Sequence, residues 1–168
     1  MKTKTYTVYK FKELSPETQD KIIENYRDIN VDYEWWQDET LLNIPEATWK
    51  CIYFDLDRGS YLQFEDLKIS RSEEFRKVLN LPKKLWDMID YSFYSSRNNN
   101  TEIEFDGEGL SKSDQETLHT SVEKFSDVVH EALSNLRKQY DYLTSREAII
   151  ETLEANDYDF NLDGRIDR

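Results

Sequence analysis

The chain has 168 residues and a single cysteine, which excludes an intrachain disulfide and leaves a hydrophobic core to stabilise the fold. Its formal net charge of −13 disfavours direct contact with nucleic acid phosphates and anionic membranes. Four glycines and three prolines argue against an all-β sandwich with many tight turns. We predict one α+β domain over residues 1–168, in which a small antiparallel sheet packs with several helices.

The first forty residues combine a strand pattern with two helix patterns. Residues 4–11 are rich in β-branched and aromatic types and predict a strand. Ser15 followed by Pro16 predicts the start of a helix, because serine caps the first turn and proline suits its first position. A second, short helix is predicted after Asp32.

The middle of the chain predicts a hairpin followed by two helices. Alternating apolar residues on both sides of a Gly-Ser turn indicate a β-hairpin over 51–69. A helix is predicted from Ser70 or Ser72 to Val78, ahead of a proline. Another helix is predicted over 83–95, with Leu85, Met88, Ile89 and Phe93 pointing inward.

The clearest predicted element is a long helix over 114–141. A short strand over 102–105 precedes it, and Ser113 with Glu116 forms a predicted capping box. Its apolar residues recur at steps of three and four and therefore share one stripe. The stripe consists of Leu118, Val122, Phe125, Val129, Ala132, Leu136 and Tyr140.

The end of the sequence predicts a helix and then a strand with a turn. Thr144 and Glu147 form a second predicted capping box, which opens a helix to about residue 155. Residues 159–166 match the first positions of an EF-hand calcium loop, but the acidic ligand at its twelfth position is missing. We therefore favour a β-turn at the Asp-Gly pair and predict no metal site.

Few residues suggest catalysis. Asp55 and Asp57 follow a predicted strand, as in phosphatases of the haloacid dehalogenase type, but the loop after them departs from that pattern. His119 and His130 are about 16 Å apart along the predicted helix, too far to share one metal ion. The sequence contains no glycine-rich phosphate loop and no zinc spacing. We predict no catalytic residues and no cofactor.

An acidic and aromatic segment is the predicted partner-binding site. Adjacent tryptophans on a helix point about 100° apart, so we expect one of them, Trp35, at the surface among acids. The alternative is that both tryptophans pack inside. Aromatic residues ringed by acids suit docking to a basic protein surface. The predicted site consists of Tyr33, Glu34, Trp35, Trp36, Asp38 and Glu39.

Charge is distributed unevenly along the chain. Residues 13–57 hold 12 acids against 3 bases, and residues 101–168 hold 17 acids against 7 bases. Residues 58–100 instead hold 8 bases against 6 acids. This basic stretch either binds a phosphate or acidic partner or forms ordinary solvated helix faces. Its candidate residues are Arg71, Arg76, Lys77, Lys83, Lys84 and Arg97, with Trp86 and Tyr94.

Two stretches resemble a group of small proteins from bacteriophages and mobile elements, some of which are labelled antitoxin-like. The first stretch is residues 6–15, continuing through 23–30 and 33–36, and the second is residues 142–151 with 156–160. The resemblance implies a setting only, namely an accessory protein in a bacterial cytoplasm. It implies no site residue.

These observations favour a non-enzymatic protein that binds and inhibits another protein with a basic surface, such as an antitoxin or an inhibitor of host defence. Its acidic faces would then compete with nucleic acid for that surface. The alternative is a protein that binds or sequesters a small ligand or nucleotide in a pocket lined by aromatics and arginines. A metal-assisted hydrolase using Asp55 and Asp57 is a third hypothesis. The absence of an apolar run of about 18 residues and of a signal peptide predicts a cytoplasmic protein without a membrane partner.

Overall fold

The structure is a computed structural model, which describes residues 7–37, 42, 44, 46–56, 61–95 and 100–167. Its contacts cluster in two compact units. The terminal unit comprises the described residues up to Trp35 and from Lys138 onward, and the central unit runs from Trp36 to Arg137. The single domain over residues 1–168 stays a prediction.

Helices and antiparallel strand pairs together form an α+β fold, which confirms the predicted class. The helices are α1 (Pro16–Asn25), α2 (Glu73–Val78), α3 (Lys83–Trp86), α4 (Lys112–Leu143) and α5 (Arg146–Ala155). The strands are β1 (Ala47–Thr48), β2 (Cys51–Asp55), β3 (Tyr61–Glu65), β4 (Lys68–Ile69), β5 (Asp90–Ser95), β6 (Thr101–Asp106), β7 (Asp159–Phe160) and β8 (Ile166–Asp167). The pairs are β1–β4, β2–β3, β5–β6 and β7–β8, all antiparallel.

The predicted hairpin over 51–69 is confirmed in the central unit. Strands β2 and β3 pair over their full lengths, with Ile52 opposite Phe64. The chain then continues to β4, which pairs with β1. Helix α2 begins after Ser72, whose hydroxyl accepts a hydrogen bond from the Phe75 amide at 3.1 Å, as the capping pattern predicted.

The predicted helix over 83–95 is wrong beyond its first turn. Helix α3 ends at Trp86, and Asp90–Ser95 is a strand that pairs with Thr101–Asp106. Alternation of aromatic and short polar residues suits a strand, and pairing with β6 gives this segment the hydrogen bonds that a helix would have given it. Met88, expected to point inward, is exposed, whereas Ile89 is buried as predicted.

The predicted long helix is confirmed as α4, although its cap differs. Ser111, rather than Ser113, caps it, because the Ser111 hydroxyl accepts from the Asp114 amide at 3.2 Å. The Asp114 carboxylate accepts in return from the Ser111 amide at 3.0 Å. This reciprocal pair satisfies two amides of the helix start. Hydrogen bonds from the Ser111 hydroxyl and, to a smaller extent, from the Ser111 amide lower the pKa of the Asp114 carboxyl.

The buried stripe of α4 largely follows the prediction. Ser121 is buried where Val122 was expected, and its hydroxyl donates to the Thr117 carbonyl at 3.0 Å, so it enters the core without an unmatched donor. Val122 and Tyr140 are half-buried. The buried residues of α4 are Leu118, Ser121, Phe125, Val129, Ala132, Leu133 and Leu136.

In the terminal unit, α1 and α5 share one hydrophobic core. Ser15 caps α1 and Pro16 is its first residue, as predicted. Ser145, and not Thr144, caps α5, because its hydroxyl accepts from the Ala148 amide at 3.2 Å. The buried residues of this core are Phe11, Leu14, Ile22, Ile149, Leu153 and Phe160.

The predicted strand over 4–11 is wrong for its described part. Residues 4–6 lie outside the described residues, and Tyr9 forms one antiparallel bridge with Phe160. Phe11–Glu13 is a 3-10 turn, in which the Glu13 carboxylate accepts from the Lys10 amide at 2.8 Å. The turn directs Phe11 into the core, with its ring 6.3 Å from that of Phe160.

The predicted turn near the end of the chain is confirmed. Strands β7 and β8 pair across it, and the Asn161 side chain accepts from the Arg165 amide at 2.9 Å. Gly164 has a φ of 87°, which favours glycine, and an added Cβ would lie 3.0 Å from Ile22. Among the described residues, no helix is both long enough and apolar enough to cross a membrane.

Candidate functional site

The segment predicted to bind a partner does not form one aromatic surface. Trp35 is buried, and its ring lies 6.2 Å from that of Tyr140, so the expectation that it is exposed is wrong. Trp36 is half-buried in the central unit, where its indole N–H donates to the Ile52 carbonyl at 3.2 Å. Tyr33 is 60% exposed.

For the other residues of that segment, partner binding stays a prediction. Glu34 is exposed beside Tyr33. Asp38 and Glu39 lie outside the described residues. In the described part of the predicted second short helix, Trp35–Gln37 forms a 3-10 turn, and the residues directly after it lie outside the described residues. Its aromatic residues contribute to packing, and only Tyr33 and Glu34 remain as described, exposed candidates.

The arginines of the basic stretch serve the packing of the central unit. Arg71 donates to the Ile89 carbonyl at 2.8 Å and to the Trp86 carbonyl, and its guanidinium lies 4.5 Å from the Trp86 ring centre. Arg76 donates to the Leu81 carbonyl and to the Glu73 carboxylate. Guanidinium groups engaged in this way have few donors left for a phosphate.

The lysines of this stretch are exposed, and Lys83 pairs with Asp87 at 2.5 Å. Arg97 lies outside the described residues. The described part of the basic stretch therefore fits ordinary solvated helix faces and packing contacts better than a phosphate site. The pocket of aromatics and arginines expected for a nucleotide is not found among the described residues.

The described residues considered for catalysis or metal binding do not form one cluster. Asp55 ends strand β2 opposite Tyr61, and Asp57 lies outside the described residues, so the aspartate pair stays a prediction. His119 lies 3.8 Å from Glu123, whereas His130 contacts Ser126 at 3.3 Å. Within the described residues, no group of three or more potential ligands could hold a metal ion.

The β5–β6 hairpin presents the most distinctive charged surface. Cross-strand partners lie on the same face of a hairpin, and one face carries the pairs Asp90–Asp106, Ser92–Glu104 and Tyr94–Glu102. These six residues are called the acidic face. Five of them are exposed and Glu102 is half-exposed. Neither strand contains Lys, Arg or His, so the two strands together carry four negative charges and no positive charge.

The opposite face of this hairpin fixes it to the core. Phe93 lies with its ring 5.3 Å from that of Phe125 on α4 and 6.3 Å from that of Phe75 on α2. Tyr91 stacks on Trp86 with ring centres 5.3 Å apart. Because these aromatic side chains point inward, the alternate residues of the acidic face point outward.

The acidic face contains a directly opposed pair of like charges. Asp90 and Asp106 are cross-strand partners, and like charges in that position are destabilising by a few tenths of a kcal/mol or more. Arg71 lies 3.7 Å from Asp90, but the Asp90 side chain is 96% exposed, so this ion pair is weak. A serine or threonine at either position would suit the fold better than aspartate.

Tyr94 reports on the electrostatics of the acidic face. Its hydroxyl donates to the Glu102 carboxylate at 2.7 Å. This hydrogen bond, together with the negative charge of Glu102 and Glu104, raises the pKa of the Tyr94 phenol. The environment of the face therefore opposes any additional negative charge and favours an approaching cation.

A groove runs beside the hairpin within the central unit. It has a volume of about 420 Å³, which is within the size range of ligand-binding pockets. Its walls come from β5 on one side and from the end of β3 and β4 on the other. The lining residues are Phe64, Asp66, Leu67, Lys68, Ile69, Tyr91, Ser92, Phe93, Tyr94, Ser95 and Thr101.

The sequence contains part of the signal for this surface. Glu102, Glu104 and Asp106 alternate with inward-facing residues, which is the pattern of a strand with one charged face. The spacing of residues 83–95 predicts a helix instead of the partner strand, and it therefore gives no indication that Asp90 lies opposite Asp106. Comparisons of the chain with protein families, curated proteins and solved structures find no match.

Proposed function

We propose that this protein is a non-enzymatic accessory protein of a phage or mobile element, which binds and inhibits another protein in the bacterial cytoplasm. The acidic face of the β5–β6 hairpin would be its docking surface, and the partner would present a basic surface. This function fits an antitoxin or an inhibitor of host defence. The observation that carries the proposal is the opposed Asp90–Asp106 pair within a face that holds no positive charge.

The density of charge on the acidic face supports competition with nucleic acid. Glu102 to Asp106 spans about 14 Å at about 3.4 Å per residue. Four carboxylates lie within that length, three along β6 and Asp90 opposite Asp106, whereas one DNA strand, at about 3.4 Å per phosphate, carries about five phosphates over it. A protein site that binds a single strand through lysines and arginines would therefore meet a comparable charge density here.

The whole-chain charge supports the same kind of partner. A net charge of −13 repels nucleic acid and attracts basic protein surfaces, which accelerates association at low ionic strength. Interactions between exposed charges are screened over about 8–10 Å at physiological salt. Binding through the acidic face should therefore weaken strongly as salt is raised.

The test compares capture of bacterial proteins by three forms of the purified, tagged protein at low salt. The first is the unmodified chain, and the second neutralises the acidic face with Asp90→Asn, Glu104→Gln and Asp106→Asn. The third, a charge-matched control, neutralises exposed residues of α4. The control substitutions are Glu116→Gln, Glu123→Gln and Glu131→Gln.

We expect a stoichiometric partner that the unmodified chain and the control retain and that the acidic-face variant loses. The same partner should be released from a nucleic acid ligand by the unmodified chain. Equal capture by both variants would show that net charge alone acts and would contradict docking through this face. Failure to recover any partner from lysates of several bacterial hosts would contradict the proposed function itself.

The segment predicted from the sequence is tested in the same assay. A variant carrying Tyr33→Ala and Glu34→Gln removes its exposed, described members. Loss of capture in this variant, with capture kept in the acidic-face variant, would move the docking surface to the terminal unit. We expect the reverse result.

The alternative of a small-ligand protein is supported by the volume and aromatic lining of the groove, about 420 Å³. The described lining contains Lys68 but no arginine, which favours an apolar or aromatic ligand over a nucleotide. Thermal unfolding in the presence of a nucleotide and metabolite panel separates the two functions, because only a pocket ligand raises the midpoint by mass action.

A further inference from the structure

Strand β5 has an outer edge that no other part of the described chain covers. It pairs with β6 along one side, over all six of its residues, and β5–β6 is a two-stranded sheet. In the described part of the chain, the backbone groups of Asp90–Ser95 have hydrogen-bond partners only in β6. In an antiparallel pair every second residue turns its N–H and C=O away from the partner strand. Alternate residues of β5 therefore offer donors and acceptors outward.

The neighbouring β2–β3 hairpin shows how this protein covers an edge. On β3, the Leu62 amide donates to the Asn100 side chain at 2.9 Å and the Phe64 amide donates to the Thr101 hydroxyl at 3.0 Å. On β2, the Ile52 carbonyl accepts from the side chains of Trp36 and Gln37, each at 3.2 Å. Uncovered edges invite pairing with other chains, and proteins usually block them. Among the described residues, no side chain makes such a hydrogen bond to the outer edge of β5.

The groove lies along this edge. Consecutive β5 residues point to opposite faces of the hairpin, yet all five residues from Tyr91 to Ser95 line the groove. A cavity lined by five consecutive residues of a strand, from both of its faces, reaches the edge of that strand. The far wall is formed by the chain around Leu67, and the Tyr91 hydroxyl donates across to the Ile69 carbonyl at 3.0 Å.

The two sides of the edge differ in chemistry, which defines the occupant. A strand added beside β5 would point alternate side chains to the same side of the sheet as the acidic face, next to Asp90, Ser92 and Tyr94. Its other side chains would point to the opposite side, next to the aromatic residues Tyr91 and Phe93. Positively charged residues suit the first position and apolar residues suit the second. The occupant is therefore an extended segment in which basic and apolar residues alternate.

A second copy of this chain fits the edge poorly. Pairing two β5 strands would bring two acidic faces together, each with four carboxylates and no positive charge. Like charges on neighbouring strands oppose such pairing. The charge on the face therefore selects against self-association while leaving the edge accessible to a basic chain.

We propose that the outer edge of β5 binds an extended basic segment of the partner protein by strand addition. Main-chain hydrogen bonds to β5 would supply affinity, and the acidic face would select lysine or arginine at alternate positions. This inference rests on the proposed function and specifies how the partner is held.

The probe is a synthetic peptide of alternating lysine and valine with the length of β5. Two analogues carry N-methyl groups on every second residue, one on the lysines and the other on the valines, so both keep the charge and length of the parent. Only one analogue loses the amides that face β5, because alternate residues of an added strand face opposite sides. Affinity is measured by fluorescence anisotropy for the unmodified protein, the acidic-face variant and the α4 control variant.

We expect one analogue to bind about tenfold or more weakly than the parent, because it loses two or three main-chain hydrogen bonds, and the other to bind within a few-fold. The identity of the weaker analogue, methylated on the lysines or on the valines, reports whether the added strand is parallel or antiparallel to β5. Amide hydrogen exchange of β5 should slow with the parent peptide and stay unchanged with the blocked analogue.

Other results would overturn the inference in distinguishable ways. If both analogues bind like the parent while the acidic-face variant loses affinity, strand addition is wrong and charge-based docking stands. If the acidic-face variant binds the parent as tightly as the α4 control does, docking through the acidic face is also wrong. Dimerisation of the protein without peptide, with slowed exchange of β5 amides, would assign the edge to a second copy.

Discussion

The two longer hairpins of the central unit, β2–β3 and β5–β6, are similar in length but differ in how they are completed. Side chains from Trp36, Gln37, Asn100 and Thr101 cover both edges of β2–β3. In the described part of the chain, the outer edge of β5 has no hydrogen-bond partner, and the β5–β6 hairpin has a face with four carboxylates. Covering an edge satisfies buried backbone groups and prevents unwanted pairing. The difference indicates that the first hairpin supports the fold and that the second is available for binding.

The largest expected effect comes from removing one of the covering side chains. Thr101→Val keeps the shape of a residue that is 2% exposed but removes the hydroxyl that accepts from the buried Phe64 amide. We expect the free energy of unfolding to fall by about 1–3 kcal/mol, because that donor is left without a partner. Urea denaturation measures the change.

The control for this substitution is Thr120→Val on the exposed side of α4. Its hydroxyl is also hydrogen-bonded to the backbone, but as a donor to the Glu116 carbonyl and at the surface. We expect a change within about 0.5 kcal/mol. Equal destabilisation by both substitutions would mean that covering the β3 edge contributes nothing specific, and the contrast between the hairpins would fail.

A smaller effect of opposite sign is expected on the acidic face. Asp106→Asn removes the like-charge repulsion with Asp90 and should raise the free energy of unfolding by about 0.2–1 kcal/mol. The gain should shrink at high salt, because both groups are exposed. Glu131→Gln serves as the control, since it removes one exposed charge from α4. Destabilisation by Asp106→Asn at low salt would show that the opposed pair carries no repulsion.

The smallest expected effect is a change in the pKa of one tyrosine, which distinguishes the two hairpins. Hydrogen bonds to Glu102 and Glu65 raise the pKa values of Tyr94 and Tyr53, respectively. A raised folded-state pKa stabilises the fold below the ordinary tyrosine pKa of about 10, and this contribution is lost as pH rises through the folded value. Glu102→Gln should lower the pKa of Tyr94 and leave that of Tyr53 raised.

Carbon NMR of the tyrosine ring carbons measures both titrations in one sample. Tyr94→Phe and Tyr53→Phe assign the signals. If Glu102→Gln shifts both pKa values alike, the effect comes from the net charge of the protein, and the acidic face has no separate local potential.

Helix positions were largely predictable because their signals are local. Ser15 with Pro16 and Ser72 cap helices where the patterns placed them, and the long helix was found within a few residues. Its cap and that of α5 differ from the prediction by one or two residues, because several serines and threonines stand near each start. Which hydroxyl caps depends on where the tertiary core sets the first turn.

The β5 strand and the position of Trp35 could not be predicted in the same way. Residues 90–95 suit either a helix or a strand by spacing, and pairing with 101–106 selects the strand. Trp35 and Trp36 have similar sequence surroundings, yet contact with Tyr140 buries the first and leaves the second half-buried. Such contacts join residues far apart in the chain, and no local pattern encodes them.

The sequence by itself determined the net charge, the single cysteine, the α+β class and the capped helices, because composition and local hydrogen bonding act within a few residues. Only the tertiary structure decided that four of the carboxylates share one face and that Asp90 opposes Asp106. It also decided which strand edge is covered. Strand register and edge coverage depend on long-range pairing, and they convert a general acidity into one surface with a specific shape.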